Sequence, residues 1–346
     1  MKKILVLICA VFLVFALVSQ AAAVSFSVER NATGTTGSAI EASYGTGTVP
    51  NNVYNSDLSG TNTVGASGRD SGTSGTQDLG GNRPGRDVDA IQFGPGVNPS
   101  LVNRYYFSLD WGAGYDTGPY TPGSGTEAAQ GTGTAPSNVY LSTANGTNVN
   151  PYPFSGPNLG IEANTGSNLD AFNLRDFTSG SYPLYFSLDL FEPTNIDFDE
   201  DGTDDITVNG ADILMSMGNG TFSIAVPAGA LGLAEEDNLD ALARLSDGSW
   251  LFSTDWGSYG LSGTAVDAAE GTGRRPANIY QSFGDGTNLL WLSSDKLGLP
   301  SGNDAEYYGP NLDALDVASS VPEPATMLLL GLGLMGLAGV RRKFGN

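Results

Sequence analysis

The chain has 346 residues, with 15 Lys and Arg against 37 Asp and Glu, no histidine and one cysteine. The lack of histidine excludes a Ser-His-Asp or Cys-His nucleophile system and any His-liganded zinc site. The acidic excess, concentrated in the body of the chain, repels phosphate and so argues against nucleic acid and anionic lipid as partners of that body. With 15% charged residues and 48 glycines, the composition is that of a loop-rich extracellular β-protein rather than a helical cytosolic enzyme.

Met1-Lys2-Lys3 leads into an apolar run from Ile4 to Val18 and then Ser19-Gln20-Ala21-Ala22-Ala23. A cationic start, an apolar core and small residues at −3 and −1, here Ala21 and Ala23, are the parts of a secretory signal peptide. Residues 1–23 are therefore expected to form a signal helix cleaved before Val24. A permanent anchor is the alternative, but the apolar run is short for a membrane span. Cys9 lies inside that run, so the mature protein has no thiol, disulfide or thiolate metal ligand. The body, residues 24–320, keeps 10 basic and 36 acidic residues, a net charge of −26.

The body is a fourfold repeat. A Phe-Ser-x-acid segment occurs at Phe26 to Glu29, Phe107 to Asp110, Phe186 to Asp189 and Phe252 to Asp255. Asn-apolar-Tyr-x-Ser occurs at Asn52 to Ser56, Asn138 to Ser142 and Asn278 to Ser282, with Asp212-Ile213-Leu214-Met215-Ser216 as the degenerate third copy. Gly-Thr-Asn follows at Gly60, Gly146 and Gly286, and becomes Gly220-Thr221-Phe222 in the odd repeat. An apolar-Asp-Ala-apolar element recurs around Asp89, Asp170, Asp240 and Asp313, each copy preceded by Leu-Gly.

Each element reads as a strand. Leu251, Ser253 and Asp255 alternate with Phe252 and Thr254, and Asp247-Gly248 separates Leu239-Asp240-Ala241-Leu242 from Trp250 to Asp255 as a hairpin turn would. Leu289 to Leu292 supplies a further short apolar strand. About four strands per repeat make a propeller blade, with the surplus length in Gly/Thr/Ser loops such as Gly112 to Thr134. The mature chain begins with a Phe-Ser strand lacking its Asp-Ala partner and ends with Asn311-Leu312-Asp313-Ala314-Leu315, an Asp-Ala strand with no Phe-Ser strand after it. Pairing these two would close a ring and remove open sheet edges. The predicted fold is all-β: a closed four-bladed β-propeller with long Gly/Thr-rich loops, in preference to an open β-solenoid. The order of Asp-Ala and aromatic-Phe strands distantly resembles hemopexin-type four-bladed propellers, a resemblance that implies fold alone.

The sharpest local motif is Asp197-x-Asp199-x-Asp201-Gly202-x-x-Asp205. Carboxylates at alternate positions, with a glycine to turn the chain, suit the oxygen shell of Ca²⁺, to which Thr203 would add its carbonyl. Position twelve is Val208, so the closing glutamate of an EF-hand is missing and the motif is of the shorter kind found in secreted bacterial proteins. The other reading is a solvated acidic loop inserted in the third blade. Three roles are open to the repeated acids Glu29, Asp110, Asp189 and Asp255 with Asp89, Asp170, Asp240 and Asp313. They could cap turns and bond backbone N–H groups, the commonest use of an Asp at a strand end, bind a cation in a central channel, or supply a general acid/base pair for a glycan. Trp111 and Trp256 share Asp-Trp-Gly and are candidates for sugar platforms or for blade packing. Arg274-Arg275 and Arg83 with Arg86 are the basic pairs of the body, suited to solvated ion pairs or to an acidic glycan.

The C-terminus reads Val321-Pro322-Glu323-Pro324-Ala325-Thr326, an apolar run from Met327 to Val340, and Arg341-Arg342-Lys343. A short apolar helix with a basic stop follows positive-inside logic. Residues 321–346 resemble the PEP-CTERM sorting signal of Gram-negative bacteria, with Val321, Pro322, Glu323 and Pro324 as the signature and Arg341 and Arg342 in the stop. The resemblance implies a short membrane helix, recognition by an exosortase at the inner membrane, processing of the tail, and delivery to the cell surface or extracellular matrix. The expected function is that of an exported, non-catalytic structural or binding protein of the surface or matrix, stabilised by Ca²⁺. Its expected partners are the exosortase, the inner membrane transiently, and extracellular polysaccharide. A secreted carbohydrate-active enzyme using a carboxylate pair is the alternative.

Overall fold

The computed structural model describes residues 24–29, 32–44, 52–67, 77–78, 88, 90–93, 105–108, 137–142, 148–149, 154–161, 168–174, 183–190, 192–198, 203–269, 272, 275–300 and 310–317. Among them no helix is long and apolar enough to cross a membrane. The predicted signal helix and the apolar run 327–340 lie outside the described residues.

The strands form four blades, each built as the repeat predicts. Blade one holds β1 (Val24–Ser27), β2 (Asn52–Ser56) and β3 (Asn62–Ser67), with β4 (Gln77–Asp78) added parallel at its outer edge. Blade two is β5 (Ile91–Phe93), β6 (Tyr105–Phe107), β7 (Tyr140–Ser142) and β8 (Asn148–Val149). Blade three is β9 (Leu169–Leu174), β10 (Leu184–Leu188), β13 (Ile213–Ser216) and β14 (Phe222–Val226), interrupted by a separate hairpin of β11 (Thr194–Ile196) and β12 (Ile206–Val208). Blade four is β15 (Leu239–Arg244), β16 (Trp250–Thr254), β17 (Ile279–Ser282) and β18 (Leu289–Leu292). The last strand, β19 (Ala314–Val317), returns to blade one and pairs antiparallel with β1, Val24 opposite Val317 and Phe26 opposite Leu315. The two strands left without partners in the repeat are thus each other's partners. The Asp-Ala strands β5, β9, β15 and β19 are innermost and touch one another in cyclic order.

Four buried clusters occupy the four junctions between blades, and their composition explains the Asp-Ala and Phe-Ser elements together. At each junction the large apolar side chains of one blade meet the small alanine of the blade before it. Val24, Phe26 and Tyr54 of blade one meet Ala241, and Tyr105, Phe107 and Tyr140 of blade two meet Ala314. Phe172 and Phe186 of blade three meet Ala90, and Phe252 and Tyr280 of blade four meet Ala171. Alanine on the innermost strand lets four blades approach a common axis without overpacking. The Phe and Tyr of adjacent strands stack at a nearly constant distance: 5.9 Å for Phe26–Tyr54, 5.6 Å for Phe107–Tyr140 and 5.9 Å for Phe252–Tyr280. Blade three has Leu214 in place of the tyrosine, and the missing ring is supplied by Phe222, 5.7 Å from Phe186 and edge-on to it.

The repeated polar residues hold the blades together. The serine of Phe-Ser donates to a carbonyl at the start of, or just before, the innermost strand of the next blade: Ser27 Oγ to the Val88 carbonyl, Ser187 Oγ to the Leu239 carbonyl at 3.2 Å and Ser253 Oγ to the Leu312 carbonyl at 2.8 Å. The first residue of Asn-apolar-Tyr caps the short helical turn that follows its blade's last strand. Asn138 Oδ1 accepts from Gly156 N at 2.7 Å, Asn278 Oδ1 from Ser294 N at 3.0 Å and the degenerate Asp212 Oδ1 from Ala228 N at 2.7 Å. Leu-Gly ends those turns, with Gly160, Gly232 and Gly298 in the left-handed conformation that closes a helix C-terminus. The asparagine of Gly-Thr-Asn bridges blades: Asn288 Oδ1 accepts from Val266 N at 3.1 Å while its Nδ2 donates to the Leu231 carbonyl of blade three at 3.1 Å. Asn62 makes the same pair of contacts with Ile40 N and the Leu297 carbonyl. In blades one and four the N–H received by this asparagine belongs to a short helix, Ala39–Tyr44 or Ala265–Ala268. Blade three has the β11–β12 hairpin at that point instead, so the amide has no helix to cap and Phe222 replaces it.

Candidate functional site

The axis is lined by the element apolar-Asp-Ala, preceded by asparagine in three of its four copies and by Asp87 in the copy around Asp89. Asn168, Asn238 and Asn311 each precede the aspartate by two residues, and all six side chains are buried. Backbone bonds set the acids that follow Phe-Ser beside these asparagines: Glu29 N donates to Asn311 O at 3.2 Å, Asp189 N to Asn168 O at 3.0 Å and Asp255 N to Asn238 O at 3.2 Å. In blades one, three and four this brings one inner and one second-strand carboxylate together.

The asparagine of the next blade then ties that pair. Asn238 Nδ2 donates to Asp170 Oδ2 at 2.9 Å and to Asp189 Oδ1 at 3.3 Å, and Asn311 Nδ2 reaches Asp255 Oδ1 at 3.5 Å. Burial, followed by the charges of Asp255 and Asp170, pushes the Asp240 carboxyl well above the usual range, against the opposing hydrogen bond from Asn311. Burial also raises Asp255, whose Oδ1 accepts from Trp256 N at 2.5 Å, a bond acting in the opposite direction. Asp240 Oδ2 is buried without a hydrogen-bond partner. The structure thus brings Asp170, Asp189, Asp240 and Asp255 together, and the sequence signal overlooked was the asparagine two residues upstream. Asp89 and Asp110 lie outside the described residues. Among the described residues no group of three or more Asp, Glu, His or Cys is placed to hold a metal ion.

The acidic motif sits at the tip of the β11–β12 hairpin. The register Ile196 opposite Ile206 places Asp197 and Asp205 at the two ends of the tip. Asp205 N donates to Ile196 O at 2.8 Å and Asp205 Oδ2 accepts from Phe198 N at 2.8 Å, so this acid closes the loop on itself. Phe198 anchors the hairpin to blade three, its ring 4.9 Å from Phe222. Thr203 is described; Asp199 and Asp201 lie outside the described residues.

Trp256 is half-buried with its indole N–H enclosed, a packing side chain rather than an open platform. Trp111, Arg83, Arg86 and Arg274 lie outside the described residues, as do Ala21 and Ala23 and the sorting residues Val321, Pro322, Glu323, Pro324, Arg341 and Arg342. Val24 is the first residue of β1 and fully buried.

Comparison with solved structures finds the extracellular domain of a protein described as the BT4673 one component system from B. thetaiotaomicron. It is 12% identical with a TM-score of 0.24, over 77% of this chain and 25% of that one. A second structure, the extracellular domain of BT4673 described as a hybrid two component system from the same organism, is 10% identical with a TM-score of 0.29, over 86% of this chain and 39% of that one. No curated protein matches the chain. Residues 320–343 match the PEP-CTERM protein-sorting motif, which indicates an exported protein handed to an exosortase.

Proposed function

We propose that the body is a non-catalytic structural or binding module of the cell surface or extracellular matrix of a Gram-negative bacterium, released there after its tail is processed. The observation that carries this reading is the use of the repeat's polar residues. Ser187 and Ser253, Asn138 and Asn278, Asn62 and Asn288 all bond within or between blades. The axial carboxylates are likewise tied to asparagines of the next blade. A pair of acids enclosed in this way supports a scaffold over the alternative, a glycan-cleaving enzyme, whose acid and base need room for substrate and water. Extracellular polysaccharide is the natural surrounding of such a module.

Calcium at the hairpin tip completes the proposal. Residues 197 to 205 contain Asp197, Asp199, Glu200, Asp201, Asp204 and Asp205 and no cation. Two carboxylates about 4 Å apart repel by roughly 4 kcal/mol at an effective dielectric of 20. Asp197, Asp199, Asp201 and Asp205, with the Thr203 carbonyl, supply hard oxygen ligands that turn this repulsion into ligation. A metal at 100 times its Kd adds about 2.7 kcal/mol of stability. EGTA is expected to lower the melting temperature of the exported protein, and Asp199→Ala with Asp201→Ala to abolish the response. A double mutant that still responds fully places the ion elsewhere, and a wild type indifferent to EGTA with no heat on calcium addition reduces the tip to a solvated acidic turn.

A further inference from the structure

Eight large hydrophobic side chains are exposed among the described residues, and five of them belong to blade four: Tyr259, Leu261, Phe283, Leu289 and Leu290. Scattered apolar residues on a surface carry no meaning, whereas a group on one element marks an interaction site. The group centres on β18, the outer strand of the blade, and no described strand pairs with its outer side. In the register of the repeat, Leu289 takes the place held by Thr63, Val149 and Ser223 in the other blades, all smaller side chains.

The surroundings fix these residues at the surface. Trp291 and Leu292 pack into the junction between blades four and one and so anchor the strand. Leu289 and Leu290 remain 62% and 51% exposed, and Phe283, in the turn that leads into β18, is 61% exposed. The short helix Ala265–Ala268 lies against the start of β18, with Ala265 N donating to Asn288 O at 3.3 Å and Val266 N to Asn288 Oδ1 at 3.1 Å. Leu261, also exposed, belongs to the turn that enters this helix, its carbonyl accepting from Thr264 N at 3.1 Å. Leu261, Phe283, Leu289 and Leu290 thus lie on adjoining elements.

The charged residues on those elements are mostly acids. Asp267 is on the helix, its carboxylate accepting from Gly263 N at 2.8 Å. Asp285 lies two residues from Phe283. Hydrogen bonds from the Thr287 hydroxyl at 2.7 Å and the Thr287 N–H at 3.1 Å hold its carboxyl below the usual range, so it is ionised at neutral pH. After β18, Asp295 is followed by Lys296. The apolar group is therefore set among an excess of negative charge, on a body of net charge −26.

We propose that this side of blade four docks a protein whose contact surface has an apolar centre flanked by Lys or Arg. Interfaces combine an apolar core with a polar rim, and complementary charge steers the partners together. A second copy would bring acid against acid, as would anionic lipid, and a sugar uses a flat aromatic ring rather than leucine. The surface adds a class of partner to the binding role proposed above and shares no residue with the hairpin tip. EGTA melting tests the tip and peptide titration tests this surface, so either can fail alone.

The test titrates the exported protein with labelled peptides, read by fluorescence anisotropy: one alternating leucine and lysine, one serine and lysine, one leucine and glutamate. The leucine–lysine peptide is expected to bind at least about tenfold more tightly than either of the others, and to weaken as salt rises from about 0.05 to 0.5 M. Leu289→Ser combined with Leu290→Ser should raise its Kd about tenfold or more, and Phe283→Ser about threefold. Met217→Ser, which removes an exposed side chain from blade three, should leave the Kd unchanged. Asp285→Asn should weaken binding at low salt more than at high salt; blade three carries Asn219 at the matching place, so the turn keeps its form. The substituted side chains are exposed, and equal melting temperatures show that the fold survives. Equal binding of the serine–lysine peptide would reduce the surface to a general attraction for cations, and an equal loss with Met217→Ser would deny it a location. Self-association of wild type at high salt that the leucine variant abolishes would assign it to a second copy. Each of these results overturns the proposal, as do unaltered binding by the leucine variant and no binding of the leucine–lysine peptide to wild type.

Discussion

At Asp240 a carboxyl sits on the innermost strand of blade four, buried, with Asp255, Asp170 and Asp189 as its charged neighbours. Its folded-state pKa is raised above the unfolded value, so the folded chain holds the proton more tightly. The stability this group supplies is fully present at low pH and is lost as pH rises from about the usual 3.8 through the folded value, with no further loss above it. Asp255 acts in the same direction. Asp240→Asn removes the charge at nearly constant shape. Its melting temperature is expected to exceed that of wild type at pH 8 and to fall less between pH 5 and pH 8, measured in EGTA so that the hairpin tip does not contribute. A pH slope identical to wild type would show that this carboxyl is not where the charge is stored. The aspartates were legible from sequence because they recur at one place in each repeat. The role of Asn238 and Asn311 was not, because each ties carboxylates of a preceding blade 49 to 68 residues away, and no local pattern encodes that partner.

Among the elements, hairpins and caps were legible and their compensations were not. Leu239 to Leu242 and Trp250 to Asp255 were visible as a hairpin because alternation and the Asp247-Gly248 turn are local, and β15 and β16 form there with Leu242 opposite Phe252. The exchange in blade three, Leu214 for tyrosine and Phe222 for asparagine, reads as degeneration in one dimension. In three dimensions Phe222 restores the ring lost at Leu214 and seats Phe198 of the inserted hairpin. The returning strand β19 was legible as a leftover half of a pair, and its weight can be estimated. It buries Leu312 and Leu315, completes β1, and its lead-in accepts the Ser253 hydrogen bond through Leu312 O. Two buried leucines contribute roughly 3–6 kcal/mol, against a total of about 5–15 kcal/mol for a domain. Deleting residues 310–317 is therefore expected to abolish cooperative melting, whereas Ser253→Ala should cost only about 1 kcal/mol by urea unfolding. A truncated chain with an unchanged melting curve would mean that β1 needs no partner and that the blades stand as an open row.

For the whole molecule the two ends of the described strands bear on the export that the sorting motif indicates. The first paired residue is Val24, immediately after the expected signal cleavage, and the last is Val317, four residues before Val321 of the sorting motif. Both predicted processing regions lie outside the β1–β19 pair, so cutting at either end leaves every described strand intact. Val24 is fully buried, opposite Ser56 and Val317. The PEP-CTERM match at 320–343 places the exosortase step at the other end, beyond the last strand. Once the apolar run is gone, a body with 36 acidic residues against 10 basic is kept apart from anionic lipid by its own charge. Released material is expected to begin at Val24 and to lack Met327 to Val340, with a melting temperature equal to that of the tail-bearing form in detergent. Intact-mass analysis decides the first point: released protein that still contains Met327 to Val340 would remove the exosortase from this route, and a mass retaining residues 1–23 would remove the signal peptidase.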